Sequence, residues 1–192
     1  MGKGSEFERS ICKQLSLWWT DGKRDDIFWR SSQSGGRATS RAKKGKKTAG
    51  QEGDICATHR SGDPLVRLFS IELKRGYNAV CPDTILSAGP TAAQQQFDKF
   101  LIQAMEASRR GGTYFWLLIH KIDKRSPMVY FPYRFFVYMN GEASLVGSFP
   151  LCSLHKVKLK SGVQVTFMGM TLDRFLKKYT KQDMKELYSR IK

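Results

Sequence analysis

The fold is decided by the stretch from Gly53 to Gly76, which reads GDICATHRSGDPLVRLFSIELKRG. Apolar residues alternate in both halves and turn-forming residues cluster at Ser61–Pro64, so the pattern predicts a β-hairpin. Glu72 and Lys74 are two residues apart and share one face of the second strand, while Asp54 stands at the mouth of the first. The hairpin would therefore bring two acids and a lysine to one edge of a sheet.

Two carboxylates at one edge repel each other unless a cation lies between them. Carboxylate oxygens are hard ligands that suit Mg²⁺. The neighbouring lysine could steady an attacking hydroxide or the charge on a phosphate. The alternative is a surface hairpin that carries an ordinary glutamate–lysine pair.

Asp54, followed by Glu72-Leu73-Lys74, resembles the signature of the PD-(D/E)xK nuclease superfamily, with Gly-Asp where that signature has Pro-Asp. The resemblance implies that Asp54, Glu72 and Lys74 are catalytic. It also implies a metal site formed by the two carboxylates and the carbonyl of Leu73, with Mg²⁺ as the cofactor and Mn²⁺ able to substitute. No histidine base is required for such chemistry.

The N-terminal segment predicts a helix that ends near Trp19, with Ser5 and Glu8 as a capping box. Apolar side chains recur at helical spacing, namely Phe7, Ile11, Leu15 and Trp18. The order Gly-Ser-x-x-Glu-Arg from Gly4 is similar to the opening of archaeal-type Holliday junction resolvases. That resemblance implies that Glu8 belongs to the active centre, where it would hold a second ion or an outer-shell water; otherwise Glu8 serves only the cap.

The chain is strongly basic, since 33 lysines and arginines stand against 17 acids and give a net charge of +16 over 192 residues. Such a charge is typical of a protein that meets a polyanion, and nucleic acid is the leading candidate. An anionic membrane surface is the rival, although the apolar runs are too short to span a bilayer. The N-terminus predicts no signal peptide, and the scattered cysteines do not have zinc-site spacing.

Much of this charge falls between the predicted first strand, Asp26–Arg30, and Asp54. The pattern predicts a mobile basic loop over residues 33–52, whose cations would neutralise DNA phosphates. In junction resolvases a serine of this loop assists the site, and Ser31, Ser32 and Ser34 are all candidates. The predicted DNA contacts are Arg30, Ser32, Ser34, Arg37, Arg41, Lys43, Lys44, Lys46, Lys47, Arg75 and Gln96.

The next segments predict a helix from Ala92 to about Arg110 and a central strand over Thr113–His120. Apolar residues mark the buried side of the helix, namely Phe97, Phe100, Leu101 and Met105. Several superfamily relatives place a glutamine on this helix, where its amide touches phosphate or water, and Gln96 is the candidate here. The order of elements predicts an α/β (α+β) fold with a restriction-endonuclease-like αβββαβ core, in which helices flank a mixed central sheet.

Residues 1–125 would form the nuclease core, and residues 126–192 a β-rich extension packed on the same domain. Within the extension we expect a strand pair over Met128–Met139, strands over 142–149 and 162–168, and a final helix from Thr171. Lys156, Lys158 and Lys160 alternate, so they share one face of a strand; that face is either a second phosphate-binding edge or a solvated surface.

The resemblance as a whole implies a metal-dependent DNA endonuclease, acting as a homodimer on branched DNA such as Holliday junctions. Duplex nucleases of restriction, repair or mobile-element type share the same core. A non-catalytic DNA-binding protein that kept the fold is a further alternative, as is an RNA-binding module with exposed aromatic residues. We expect a cytoplasmic protein, or one in the host cytoplasm if a phage encodes it.

Overall fold

A computed structural model describes residues 3–31, 52–76, 80, 92–141, 152–159 and 162–192 of the chain. Several predictions fall outside these ranges. They are the basic loop 33–52 apart from Glu52, with Ser32, Ser34 and the cations from Arg37 to Lys47, the strand over 142–149, and Lys160.

Six helices and seven strands make up the described part of the chain. The helices are α1 Lys3–Trp19, α2 Asp63–Leu68, α3 Ala92–Gly111, α4 Tyr133–Asn140, α5 Leu172–Lys178 and α6 Lys181–Ile191, and a 3₁₀ turn covers Arg60–Gly62. The strands are β1 Phe28–Arg30, β2 Ile55–Ala57, β3 Phe69–Arg75, β4 Phe115–Lys121, β5 Met128–Pro132, β6 Ser153–Lys158 and β7 Gln164–Thr171.

Five strands form one mixed sheet in the order β3-β4-β5-β7-β6. β3 and β4 are parallel, and the remaining neighbours are antiparallel. β1 and β2 form a separate antiparallel pair. Because β5, β7 and β6 continue outward from β4, the C-terminal third of the chain extends the same sheet as β3.

The two faces of the sheet carry separate apolar cores. α3 packs on one face, where Phe97 and Leu101 meet Trp116 and Leu118. The other helices pack on the opposite face, where the alternate strand residues lie. This alternation follows from the pleat of a strand, and it confirms the mixed α/β fold with a central sheet flanked by helices.

Periodicity predicted α1 and α3 correctly. Phe7, Ile11 and Leu15 are buried on α1, and Phe97, Phe100 and Leu101 are buried on α3. β4 is buried along almost its whole length, as its continuous apolar run predicted. The predicted cap at Ser5 is wrong, because α1 begins at Lys3.

The predicted hairpin between Ile55 and Lys74 is also wrong. The segment Asp63–Leu68 is a helix with Pro64 in its first turn, a position in which proline loses no hydrogen bond. β2 pairs with β1 instead. Asp54 still reaches β3, because its backbone N–H donates a 2.8 Å hydrogen bond to the carbonyl of Ile71.

Two predictions in the C-terminal third need correction. The second half of Met128–Met139 is the helix α4, which buries Phe135 and Phe136 and starts after Pro132. The final helix is divided in two, because Tyr179 ends α5 in an extended conformation. Thr180 then forms a capping box with Asp183 at the start of α6, which satisfies the free N–H groups of a new helix.

Candidate active site

Asp54 is fixed to the outer edge of β3 by its own backbone and side chain. Its N–H donates to the carbonyl of Ile71, and its carboxylate accepts a 2.8 Å hydrogen bond from the N–H of Leu73. Gly53 allows this approach, since a Cβ there would lie 2.7 Å from the oxygen and 2.8 Å from the nitrogen of Ile71. The glycine before the aspartate is therefore required by the backbone contact with β3.

Glu72 and Lys74 point to the α3 face of β3, in the same cross-strand rows as Leu118 and His120. Glu72 is only 3% exposed. The Nζ of Lys74 donates a 2.9 Å hydrogen bond to Oε1 of Glu72. The predicted pairing of these two side chains on one face is present in the structure.

Gln103 of α3 completes this cluster. Its Oε1 accepts a 2.9 Å hydrogen bond from Lys74, and its Nε2 donates to Oε1 of Glu72. The Gln103 amide therefore links Lys74 and Glu72, which are 29 and 31 residues away from it in the sequence. Sequence reasoning selected Gln96, which makes no hydrogen bond to Glu72 or Lys74.

Gln96 and Gln103 are seven residues apart and so lie on nearly the same face of α3. Helical periodicity could therefore have named both as candidates. Only the placement of the helix along β3 decides which amide reaches the site, and that placement is a tertiary property.

The ammonium group of Lys74 also contacts an aromatic ring. Its Nζ lies 5.5 Å from the ring centroid of Phe100, a distance at which the ring face attracts a cation. The ring of Phe100 in turn meets that of His120 edge-on, at 5.9 Å. His120 contacts the carbonyl of Gly76 at 2.9 Å, and burial lowers the pKa of this histidine. These contacts fix the carboxyl end of β3.

The carboxylate of Asp54 is close enough to that of Glu72 for the two negative charges to repel each other. Burial and the nearby Glu72 carboxylate raise the pKa of Asp54 to about 6, although the hydrogen bond from Leu73 opposes the shift. A cation between the two carboxylates would remove this repulsion.

The donor set fits a hard divalent cation. Two carboxylates converge, and the backbone of Leu73 faces the same edge as Asp54, because the N–H and C=O of one strand residue point to the same side. Magnesium prefers oxygen ligands of this kind and keeps several waters. No set of three histidine, cysteine or acidic side chains converges within the described ranges. The side-chain ligands of a cation here would therefore be the two carboxylates.

Glu8 is held by Arg30. The two side chains form an ion pair between α1 and β1 and are mostly buried. Burial, together with Cys56 and Glu8, raises the pKa of Cys12 to about 12, which keeps this thiol protonated. A metal role for Glu8 and a DNA contact for Arg30 stay predictions.

The other predicted site residues have varied positions. The N–H of Ser31 donates a 2.8 Å hydrogen bond to the carbonyl of Asp54, so this serine borders the site. Arg75 lies on the opposite face of β3 from Lys74, with its Nη1 3.8 Å from a carboxylate oxygen of Glu6. A DNA contact for Arg75 stays a prediction.

Lys156 and Lys158 lie on the far face of the sheet from Glu72. The cross-strand row of Glu72 runs through Leu118, Tyr130 and Gly169 to Ser153. The two lysines are three and five residues beyond Ser153 on the same strand, and odd offsets change the face. This lysine face is therefore separate from the candidate active site.

None of the helices in the described part of the chain has the length and apolar character needed to cross a bilayer. Comparisons with curated proteins and with solved structures found no significant match. The family model described as "Phage putative PDDEXK endonuclease" matches residues 1–186. The chain therefore belongs to this family, which confirms its predicted place in the PD-(D/E)xK superfamily.

Proposed function

We propose that this protein is a metal-dependent endonuclease that hydrolyses phosphodiester bonds in DNA. The observation that carries the proposal is the convergence of Asp54 and Glu72 beside the ammonium group of Lys74. A net charge of +16 supports a polyanionic substrate.

Asp54, Glu72 and the carbonyl of Leu73 would hold Mg²⁺, and Mn²⁺ would substitute for it. When bound, such an ion polarises a phosphoryl oxygen and lowers the pKa of its water. Glu8 would hold a second ion or an outer-shell water.

Lys74 would orient the attacking water and stabilise the charge that develops on the phosphate. An ammonium group has three donor hydrogens. Glu72 and Gln103 accept two hydrogen bonds from it, so a third donor is available to a water or a phosphate oxygen. Gln103 would keep the ammonium group in this position.

We further propose that the substrate is branched DNA, such as a Holliday junction, and that the enzyme acts as a homodimer. A four-way junction has paired strands to cut, and a two-fold symmetric dimer presents two identical sites to them. The enzyme would work in the cytoplasm, or in that of the host if a phage encodes it.

The test compares a labelled four-way junction with the matching linear duplex, in Mg²⁺ and in EDTA. The variants are Asp54→Ala and Lys74→Met, with Asp173→Ala as a matched control because Asp173 is an exposed residue of α5 paired with Lys177. Metal-dependent, symmetric nicking of the junction alone, lost in the first two variants and kept in the control, is the expected result.

Cutting of both substrates would keep the nuclease and reject the junction specificity. Absence of metal-dependent cutting in the wild type would reject the proposed activity on these DNAs. Calorimetric titration with Mn²⁺ separates the steps, since Asp54→Ala should lose the bound ion whereas Lys74→Met should retain it.

A further inference from the structure

Trp29 is an exposed aromatic residue beside the candidate active site. β1 alternates between the core and solvent, so Phe28 is fully buried against Trp19 whereas Trp29 is 51% exposed. Trp29 is not among the described side chains that form the two apolar cores or pack against them.

The register of β1 places Trp29 close to Asp54. Trp29 lies opposite Cys56 in the β1–β2 pair, and Ser31, two residues on, donates its N–H to the carbonyl of Asp54 at 2.8 Å. Two residues of a strand span about 7 Å. Trp29 therefore stands on β1, two residues before Ser31, which binds the backbone of Asp54.

The other large exposed apolar side chains of the described residues are elsewhere. They are Tyr138, Leu154 and Val163. Tyr138 lies on α4 against Phe115, at the opposite end of β4 from His120, and the other two lie on or beside β6 and β7. Among them, Trp29 alone lies within two residues of a residue that is hydrogen-bonded to Asp54.

We infer that Trp29 is a stacking platform for a nucleobase that is not stacked within a duplex, near the phosphate to be cut. The inference rests on the proposed nuclease function and narrows its substrate class. Aromatic side chains stack on bases of single-stranded segments irrespective of sequence, because every base presents a π-face. A base inside a continuous duplex has both faces covered by its neighbours, so it gains little from this indole.

Tryptophan fluorescence tests the inference directly. The other tryptophans are Trp18, Trp19 and Trp116, of which the last two are buried, so Trp29 is the ring best placed to be quenched by a bound base. Wild type and Trp29→Phe are titrated in EDTA, which prevents cleavage. The probes are a short thymidine oligonucleotide, a blunt duplex and a four-way junction with unpaired bases at its centre.

We expect the oligonucleotide and the junction to quench the wild type more strongly than the duplex does, and Trp29→Phe to lose this difference. Affinities are then measured by anisotropy for Trp29→Ala. Loss of one stacked base is worth about 5- to 150-fold in affinity. The ratio of oligonucleotide affinity to duplex affinity should therefore be lower in Trp29→Ala than in the wild type by a factor in this range. Trp29→Phe should recover part of the loss, because it keeps an aromatic face.

Tyr138→Ala is the matched control, since it removes an aromatic side chain of similar exposure from α4, where the ring packs against Phe115. An equal loss of affinity for all three DNAs in Trp29→Ala, or quenching that persists in Trp29→Phe, would overturn the inference. Cleavage of the same DNAs by the wild type in Mg²⁺ reports separately on the proposed function. Quenching through Trp29 without cleavage would reject the activity alone, and cleavage without such quenching would reject the stacking alone.

Discussion

Gln103 accepts a 2.9 Å hydrogen bond from the ammonium group of Lys74. Its amide nitrogen donates to the Glu72 oxygen that the same ammonium group contacts. The three side chains thus form a closed ring, in which a neutral amide orients both members of the acid–lysine pair without adding charge.

This ring predicts that Gln103 is a positioning residue for Lys74. We expect Gln103→Leu to lower the single-turnover rate by roughly 10- to 100-fold, because a small misplacement of a catalytic group has effects of that size. KM should change little. Rates and KM are to be measured for Gln103→Leu and for Gln96→Leu, which removes a glutamine two turns earlier on the same helix.

A smaller loss of rate in Gln96→Leu would agree with the structure. A raised KM with an unchanged rate in Gln103→Leu would contradict the positioning role and indicate that Gln103 binds the substrate. Gln103→Glu adds a carboxylate beside Glu72 and should lower the rate further, unless the ring has no role.

The raised pKa of Asp54 predicts that the active site destabilises the fold in the absence of metal. The folded-state pKa of about 6 exceeds the ordinary value of 3.8. The stability that this group contributes is therefore fully present below about pH 4 and is lost as the pH rises through 6. We expect Asp54→Asn, which cannot ionise, to be more stable than the wild type at pH 7 by about 1 to 3 kcal/mol.

Urea unfolding in EDTA between pH 4 and pH 8 checks this expectation. The advantage of Asp54→Asn should be absent near pH 4 and constant above about pH 7. Addition of Mg²⁺ at pH 7 should stabilise the wild type and leave the variant unchanged. A variant that is less stable than the wild type at every pH would show that the carboxylate is a net stabiliser.

The close approach of Gly53 to β3 predicts that this glycine cannot be replaced. A Cβ would meet the backbone of Ile71 below 3 Å, so Gly53→Ala should lower the stability by about 1 to 3 kcal/mol and displace Asp54. Gly53→Pro carries a Cβ as well, so it should lose activity even though it restores the Pro-Asp of the superfamily signature.

Gly4→Ala is the matched control for that substitution. Gly4 lies in the first turn of α1 with open space where a Cβ would stand, so the change should not lower the stability. Melting temperatures and cleavage rates of the three variants provide the test. Unchanged melting in Gly53→Ala would mean that β3 can move away from Gly53.

His120 predicts a pH dependence of the opposite sign. Burial lowers its pKa below the ordinary value of 6.5, so the neutral ring is favoured in the folded state. The stability that it contributes is present above pH 6.5 and is lost as the pH falls through the folded-state pKa. We expect the stability difference between wild type and His120→Gln to narrow between pH 7 and pH 5.

Unfolding in urea at these two pH values, in the Asp54→Asn background, isolates the effect of His120 from that of Asp54. A difference that widens towards pH 5 would mean that the contact with Gly76 favours the charged ring.

The superfamily signature and the amphipathic helices could be predicted from local sequence. Glu72 and Lys74 share a face because a strand has a period of two, and α1 and α3 bury the residues that recur at helical spacing. The hairpin prediction failed because Val66 and Leu68 fit both a strand and a helix in so short a segment. Pro64 at the first turn, together with packing of Leu65, Val66 and Leu68 in the core, favoured the helix.

By itself, the sequence determined the chemistry of the site, because the side chains of Asp54, Glu72 and Lys74 are fixed by their identities and the spacing of the last two by strand geometry. The tertiary structure decided which distant groups join them. The position of α3 along β3 selected Gln103, and the β1–β2 pair brought Ser31 and Trp29 beside Asp54. Such choices depend on how whole elements pack, and packing minimises the free energy of the entire chain, which no local pattern contains.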